Sequence, residues 1–328
     1  MRRNVDETEE ALNVVIDYPL GTSADWDPMR AEFPDDEFTW TAKLEASFPA
    51  LREAEVIGSG RPLGPGVLDA APNVRWVQVF SAGVEEYLKS PGLLERDLVL
   101  TNVKVVLGSH VAETGIALLT GLSRGIAPAV LAQQEERWDP SIQVDELTGK
   151  RALVVGAGGI GRALARRLDG LEVEVRAVDI YPQEPDAYIR EVRLVSEMAD
   201  MLPETDILAI CCPSTAETQR LIDASVFDLL PDDAYLINIS RGAVVDTPAL
   251  VDALRSGRLR GAGLDVLDQE PPPAGHPIWG FPNVMITPHN GGASPLRVAR
   301  IREFFASNLH RYKAGEPLEN VVDVEAGF

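Results

Sequence analysis

The chain of 328 residues has the length of about two domains, and its hydrophobic content of 45% is enough for two ordinary soluble cores. Its 51 acidic residues against 30 basic ones leave a formal net charge of −21, a field that repels nucleic acid and anionic membranes and excludes a function built on binding either. Only five of the basic residues are lysine (Lys43, Lys89, Lys104, Lys150 and Lys313); acid excess with scarce lysine predicts a protein working in high salt, where screening removes self-repulsion, with an arginine-rich coding bias as the blander account.

The opening MRRNVDETEE lacks the apolar core of a signal peptide, and no later run is expected to reach the length of a membrane span. ALNVVIDYP (11–19) predicts a first strand closed by Pro19. After an acidic, helical or irregular segment, FTWTAK (38–43) and EVIGSG (55–60) predict strands, and LEASFPALREAE (44–55) a helix with a break near Pro49. RPLGP (61–65) is turn chemistry. The β-rich run 74–79 predicts another strand, stopping at Phe80-Ser81-Ala82-Gly83. Strands alternating with helices predict a small parallel-sheet domain. Residues 110–126 carry apolar side chains around most of a helical circumference, so this helix must be buried on most faces, between domains or in a subunit interface. Residues 127–140, with Gln133, Gln134 and Trp138, extend that surface, and a homodimer is expected.

The central stretch is RALVVGAGGIGRALARRLDGLEVEVRAVDI (151–180). Ala152 to Val155 predicts a buried parallel strand. Gly156, Gly158 and Gly161 follow at GxGxxG spacing, then a helix with Ala163, Leu164 and Leu168 at helical intervals, then a second strand ending at Asp179. Gly156 allows the tight turn, Gly158 lets the backbone approach a pyrophosphate, and Gly161 lets helix and strand pack closely. Free N–H groups at the helix start then face the anionic cofactor. Asp179 lies 18 residues beyond Gly161, near the spacing of a carboxylate that accepts from the adenosine ribose hydroxyls and repels a 2′-phosphate. NAD is therefore expected and NADP disfavoured.

Further strands are predicted at 207–212, 234–239, 261–266 and 284–287. Cys211 and Cys212 end the first of these; with neither a disulfide framework nor metal-ligand spacing, they read as small buried residues of a cytoplasmic protein, and no metal is expected. Thr247-Pro248 predicts an N-cap followed by proline at the first helical position. A last helix over 295–313 returns to the first domain. The fold class is α/β, with two doubly wound parallel-sheet domains, the larger a Rossmann-type dinucleotide-binding domain. Ligands of such sheets sit beyond the carboxyl ends of the strands, which gathers Arg241, Asp265 and His289 beside the cofactor.

These residue types suit reversible hydride transfer. An arginine grips a carboxylate and polarises an adjacent carbonyl, a histidine exchanges a proton with the alkoxide, and a carboxylate orients the imidazole. The bland alternatives are a surface ion pair for Arg241, an exposed turn for Glu270 and a packing role for His289. His110, His276 and His310 match no catalytic position. Val79, Phe80 and Trp279 are candidates for a pocket wall.

The ordered set GAGGIG, Asp179, NISRG (238–242), GLDVLDQEP (263–271) and TPH (287–289), with AGV (82–84), VAE (111–113) and CPSTAET (212–218), resembles the D-isomer-specific 2-hydroxyacid dehydrogenases over nearly the whole chain. The resemblance implies that Arg241 binds the substrate carboxylate and carbonyl, that His289 is the acid/base and that Glu270 is its partner. It implies Asp265 on the nicotinamide carboxamide, Gly159 and Ile160 against the pyrophosphate, and Cys212 and Pro213 at the cofactor. Gly159 stands where a larger residue is usual. Ser81, Ala82 and Gly83 would offer backbone N–H groups to the substrate carboxylate. The implied layout is a substrate domain of residues 1–107 plus 291–328 around an NAD-binding domain of 108–290, dimerising through the latter. Formate dehydrogenases of this family carry glutamine at the place of Glu270, so Glu270 favours reduction of a small 2-keto acid by NADH, or the reverse, over formate oxidation. No extra basic cluster beside the 81–83 loop is apparent, which disfavours a phosphorylated substrate. A redox-sensing, corepressor-like protein that binds NAD(H) without turnover is the alternative.

Overall fold

A computed structural model describes residues 11–17 and 21–328; the readings of MRRNVDETEE and of Pro19 lie outside the described residues. The chain divides into two compact units, one made of the residues up to Leu107 together with Ser294–Phe328, the other of Gly108–Ala293. The second crossing falls three residues later than the 290/291 boundary of the sequence reading, because Gly291 is still tied by its N–H to Asp265.

The split unit contains β1 (Asn13–Asp17), β2 (Glu37–Thr41), β3 (Val56–Ser59), β4 (Trp76–Val79) and β5 (Val99–Thr101). Its sheet has the order β2-β1-β3-β4-β5, and every pair is parallel. The period of two along β4 shows how the faces divide. Val77 and Val79 join the apolar cluster of Val15, Leu51, Ile57 and Leu68. Trp76 faces the other way, edge-on to Phe305 of the Arg297–Lys313 helix at 5.2 Å. Buried Gln78 is bonded through both its amide oxygen and its amide nitrogen. It accepts from Thr101 Oγ1 and Asn308 Nδ2 and donates to the Val79 carbonyl, which avoids the cost of an unmet buried amide. A β-carbon on Gly58 would stand 2.5 Å from Phe80 Cζ, so the ring can lie on the sheet only because residue 58 has no side chain.

Two local expectations change. The segment 44–55 is a 3₁₀ turn, Leu44–Ser47, followed by a single α-turn, Phe48–Leu51. Pro49 sits in the first turn of the latter, where its missing N–H costs nothing, and starts a helix rather than breaking one. β5 was not foreseen; three residues are too few to show a period.

The continuous unit contains β6 (Arg151–Val155), β7 (Glu174–Asp179), β8 (Val192–Leu194), β9 (Ile207–Ile210), β10 (Ala234–Asn238), β11 (Leu259–Leu264) and β12 (Val284–Ile286). Their order is β12-β11-β10-β9-β6-β7-β8, parallel throughout. The strand order reverses between β6 and β9, the topological switch point at which doubly wound sheets bind ligands. β8, an exposed edge of three residues, was not foreseen. The helix after β10 is Thr247–Arg255, and its cap is Asp246, whose carboxylate accepts the Ala249 N–H at 3.0 Å. Thr247 is thus the first helical residue, and Pro248 the second.

The apolar helix is longer than expected, Lys104–Ser123. By length and composition it could cross a membrane, which corrects the expectation that no run reaches that length; half of the apolar stretch is buried inside the protein. Its glycines explain how it packs. β-Carbons on Gly115 and Gly121 would approach Ile239 Cδ1 to 3.1 Å and Met285 Sδ to 2.7 Å, so the helix lies close over β10 and β12. The chain itself therefore covers much of this helix. Val105 of this helix is exposed, and a run of further exposed apolar residues lies on the next helix, Ile126–Gln134, and the segment after it: Ile126, Val130, Leu131, Trp138 and Val144.

Candidate active site

β6 delivers the chain to the switch point at Val155, and Gly156 turns it with φ of 100°. A β-carbon there would lie 2.7 Å from the Cys212 nitrogen, so only glycine lets the β6 turn pass the end of β9. Gly161 is equally constrained, its β-carbon falling 2.0 Å from the Gly156 carbonyl oxygen. Gly158 is the exception: a β-carbon there meets nothing within 4 Å. Its bareness serves no internal packing and leaves open space in front of the Gly159–Asp169 helix. The first helical N–H groups, those of Gly159, Ile160 and Gly161, have no carbonyl a turn behind them, whereas Arg162 N–H already donates to the Gly158 carbonyl. Open space, bare backbone donors and the positive end of a helix dipole fit the pyrophosphate of a dinucleotide.

Asp179, ending β7, stands across this turn. Its Oδ2 accepts the Ala157 N–H at 2.7 Å and its Oδ1 the Tyr181 N–H at 3.0 Å, which fixes the carboxylate while each oxygen keeps acceptor capacity. Arg162, which the sequence reading passed over, braces the same edge. Its Nε donates to the Ala157 carbonyl, and its Nη1 pairs with Asp186 Oδ2 at 2.6 Å. The loop after β7 is thereby fastened to the glycine turn. Cys211 and Cys212 are buried and free of disulfides. Burial pushes both thiols well up, Cys212 to about 12, so neither is a nucleophile at neutral pH. The Pro213 carbonyl accepts from Thr218 Oγ1 at 2.7 Å, which holds the chain beyond β9.

Beyond β10, β11 and β12 three loops converge. Asn238 Nδ2 donates to the Arg241 carbonyl, and Arg241 Nη1 to the Ser240 carbonyl at 2.8 Å. A β-carbon on Gly242 would fall 1.8 Å from the Leu267 carbonyl carbon, so the Arg241 turn is pressed against the loop carrying Glu270. Glu270 Oε1 accepts the Leu267 N–H at 2.9 Å, and Oε2 lies 2.7 Å from His289 Nδ1. His289 is half exposed, at 50% of its side-chain area. Among the described residues its Nε2 makes no hydrogen bond, so the nitrogen opposite Glu270 is available for proton exchange.

Asp265 has more to do than the sequence suggested. It is 3% exposed. Its carboxylate accepts from Thr287 Oγ1 at 2.6 Å, from Asn290 N–H at 3.1 Å and from Gly291 N–H at 3.0 Å. Its carbonyl accepts the His289 N–H at 2.9 Å. His289 has φ of 51°, a left-handed backbone that few non-glycine residues adopt. Asp265 thus clamps the turn that presents the histidine.

In the split unit, taken by itself, the 81–83 loop lies beyond β4. Its carbonyls are engaged: Ser81 with the Val103 N–H, Ala82 with Asn102 Nδ2 and Gly83 with Ser81 Oγ. The N–H groups of Ser81, Ala82 and Gly83 make no hydrogen bond among the described residues, as an anion-binding loop requires. Val79 and Phe80 are 0% and 1% exposed; they belong to this unit's core and are not a pocket wall, because β4 is central and buried on both faces. Trp279 lies in the other unit, 54% exposed. The sequence reading also saw no basic cluster beside the 81–83 loop. Arg297 reaches the residue before this loop, its Nη2 donating to the Phe80 carbonyl at 3.4 Å, while the Arg61 guanidinium is engaged by Asp17 and the Ala42 carbonyl on the β1 and β2 side.

Residues 116–291 match the family described as D-isomer specific 2-hydroxyacid dehydrogenase, NAD binding domain. The chain is 35% identical over 264 residues to a glyoxylate reductase of Thermofilum pendens, covering 79% of this chain and 78% of that protein. It is 33% identical over 310 residues to glyoxylate/hydroxypyruvate reductase B of Pectobacterium carotovorum, covering 90% and 95%. Among solved structures, a D-isomer specific 2-hydroxyacid dehydrogenase of Xanthobacter autotrophicus, in complex with NADPH and MES, superposes with a TM-score of 0.83 at 27% identity, covering 97% of this chain and all of that one.

Proposed function

The chain belongs to the D-isomer specific 2-hydroxyacid dehydrogenases, oxidoreductases acting on CH–OH donors, and on that premise we propose that it reduces a small 2-keto acid to the D-2-hydroxy acid with NADH, or runs the reverse. The observation that carries this reading is the 2.7 Å pair of His289 Nδ1 and Glu270 Oε2. It fixes the imidazole and leaves Nε2 to deliver the proton. Bound NADH supplies the hydride. Arg241 holds the substrate carboxylate and polarises the carbonyl, drawing electron density to the oxygen that receives the proton from His289. Glu270 stabilises the imidazolium, which takes the proton back in the oxidative direction.

Glyoxylate and hydroxypyruvate lead the substrate panel, since the relatives above are named for them, with larger 2-keto acids beside them. NAD is preferred over NADP in this reading because the Asp179 carboxylate would repel a 2′-phosphate, even though the Xanthobacter protein is complexed with NADPH. The exposed Ile126, Val130, Leu131 and Trp138 support a homodimer closed by the continuous unit. The charge of −21 supports work in high salt, and two buried cysteines without a disulfide support a cytoplasmic place.

The deciding experiment follows NADH absorbance against a panel of 2-keto acids at low and molar KCl, beside His289→Ala. Turnover lost in the variant is expected. Tight NADH binding with no turnover in either salt would instead favour a redox sensor.

A further inference from the structure

We propose that Asp186 is a second determinant of cofactor choice: by pairing with Arg162 it cancels a guanidinium that would otherwise draw in the 2′-phosphate of NADP. The inference rests on the reading of Asp179 as the carboxylate that selects NAD, and every residue it uses lies within the continuous unit.

One residue of the glycine turn places the two opposite charges. Ala157 gives its N–H to Asp179 Oδ2 at 2.7 Å, and its carbonyl accepts from Arg162 Nε at 3.0 Å. A carboxylate and a guanidinium thus hold the two ends of one amino acid, a unit of chain that advances about 3.8 Å. A ribose whose hydroxyls meet Asp179 brings its 2′ position into the neighbourhood of Arg162. The partner of that arginine comes from the loop after β7. Asp186 Oδ1 accepts the Tyr188 and Ile189 N–H groups at 2.8 and 3.1 Å, and Ile189 is 1% exposed. The carboxylate is therefore pinned to buried chain, with Oδ2 turned to Arg162 Nη1 at 2.6 Å. One helical turn further on, Arg166 lies over the Tyr188 ring at 5.9 Å, a second point at which this loop is fastened to the helix.

The pair decides more than where the loop lies. An uncompensated guanidinium beside Asp179 would offset the carboxylate's repulsion of a phosphate, and arginine is the side chain whose planar fork fits phosphate best. With Asp186 in place the two charges sum to zero, and Asp179 acts on the 2′ position unopposed. Asp186 is also the firmest hold on the outer nitrogens of Arg162. Nη2 meets Gln183 Oε1 and the Glu184 carbonyl only at 3.5 and 3.4 Å, at the long limit of a hydrogen bond. Neutralising Asp186 therefore leaves the outer face of the guanidinium loosely held. The side chains of Arg162 and Asp186 are 25% and 33% exposed, enough for an incoming phosphate to reach them and less than the exposure at which a surface pair has little effect. For fastening alone, the buried Ile189 and the Tyr188 ring already serve.

NADH and NADPH differ only in the 2′-phosphate, and their Kd values, read by fluorescence titration without any keto acid, test this. Asp186→Asn keeps an oxygen for the Tyr188 and Ile189 N–H groups; it is expected to tighten NADPH by about tenfold and to leave NADH unchanged. Adding Arg162→Gln should cancel that gain, whereas Arg162→Gln alone should leave the ratio of the two affinities as in the wild type. An unchanged ratio in Asp186→Asn overturns the proposal, as does a gain that survives in the double variant. A loss of NADPH affinity in Arg162→Gln alone overturns it too, since the guanidinium would then already serve the phosphate. So does a fall in melting temperature of Asp186→Asn that takes NADH binding with it, which would make Asp186 a loop staple. A wild type that binds NADPH more tightly than NADH fails the reading of Asp179, while the shift from wild type to Asp186→Asn still measures the masking of Arg162. Binding of neither cofactor to the wild type overturns both.

Discussion

Glu270 holds His289 from one side only: Oε2 meets His289 Nδ1 at 2.7 Å, while Oε1 accepts the Leu267 N–H at 2.9 Å. The carboxylate is thus anchored to its own loop while it aims the ring. His289→Ala should lower kcat by about 10²–10⁴-fold. Glu270→Gln, which keeps the shape but not the charge, should lower it less and narrow the pH range of activity. Initial rates of NADH oxidation across pH check both, and an unchanged pH profile in Glu270→Gln would remove Glu270 from the proton path.

Asp179 is fixed by two backbone N–H groups. Asp179→Ala should narrow the preference for NADH over NADPH, by roughly tenfold or more in kcat/KM. Comparison of the two cofactors at saturating keto acid measures it; the same ratio in both proteins would rule Asp179 out as the discriminator.

Asp265→Ala strands the N–H groups of Asn290 and Gly291 and the hydroxyl of Thr287, all aimed at a buried carboxylate. A cost of about 3–5 kcal/mol is expected, together with a fall in kcat that exceeds any rise in KM, because the His289 turn loses its clamp. Thermal unfolding and steady-state kinetics on one preparation test this; wild-type kcat in a destabilised variant would reduce Asp265 to a structural residue.

Asp17 sets a pH dependence of stability. Burial pushes it up to about 6, Arg61 draws it back and Glu45 adds to the rise. The native state therefore holds this proton more tightly than the unfolded chain does. Stability from this group is greatest below pH about 4 and is lost as pH rises to about 6, by on the order of 1–3 kcal/mol. The melting temperature of Asp17→Asn relative to wild type should accordingly increase from pH 4 to pH 7. A constant difference across that range would show that Asp17 does not titrate there.

The charge of −21 leads to a salt prediction. Melting temperature should rise from dilute buffer to molar KCl as the self-repulsion is screened, and greater stability in dilute buffer would count against adaptation to salt.

The alternation of short apolar runs with glycine turns made β6, β7, β9, β10 and both sheets readable, and the motif order singled out Arg241, Glu270 and His289, of which the last two are paired at 2.7 Å. The three-residue strands β5 and β8 were invisible because they carry no period. Arg162 looked like one more polar residue on a helix, and its brace to Asp186 joins residues 24 positions apart. Asp265 was legible as a residue at a strand end, but its clamp depends on where β12 deposits Thr287 and Gly291. Arg297 lies 217 positions from Phe80, and no local pattern announces that its guanidinium reaches the Phe80 carbonyl.

The split unit has a consequence for synthesis on the ribosome. Its strands are made first, yet Trp26, Trp76 and Phe80 pack on Phe305, and Gln78 bonds Asn308, both in the Arg297–Lys313 helix. The continuous unit is wholly translated before that helix leaves the exit tunnel. The unit that begins first is thus completed last, and until then its aromatic face is left for a chaperone to shield.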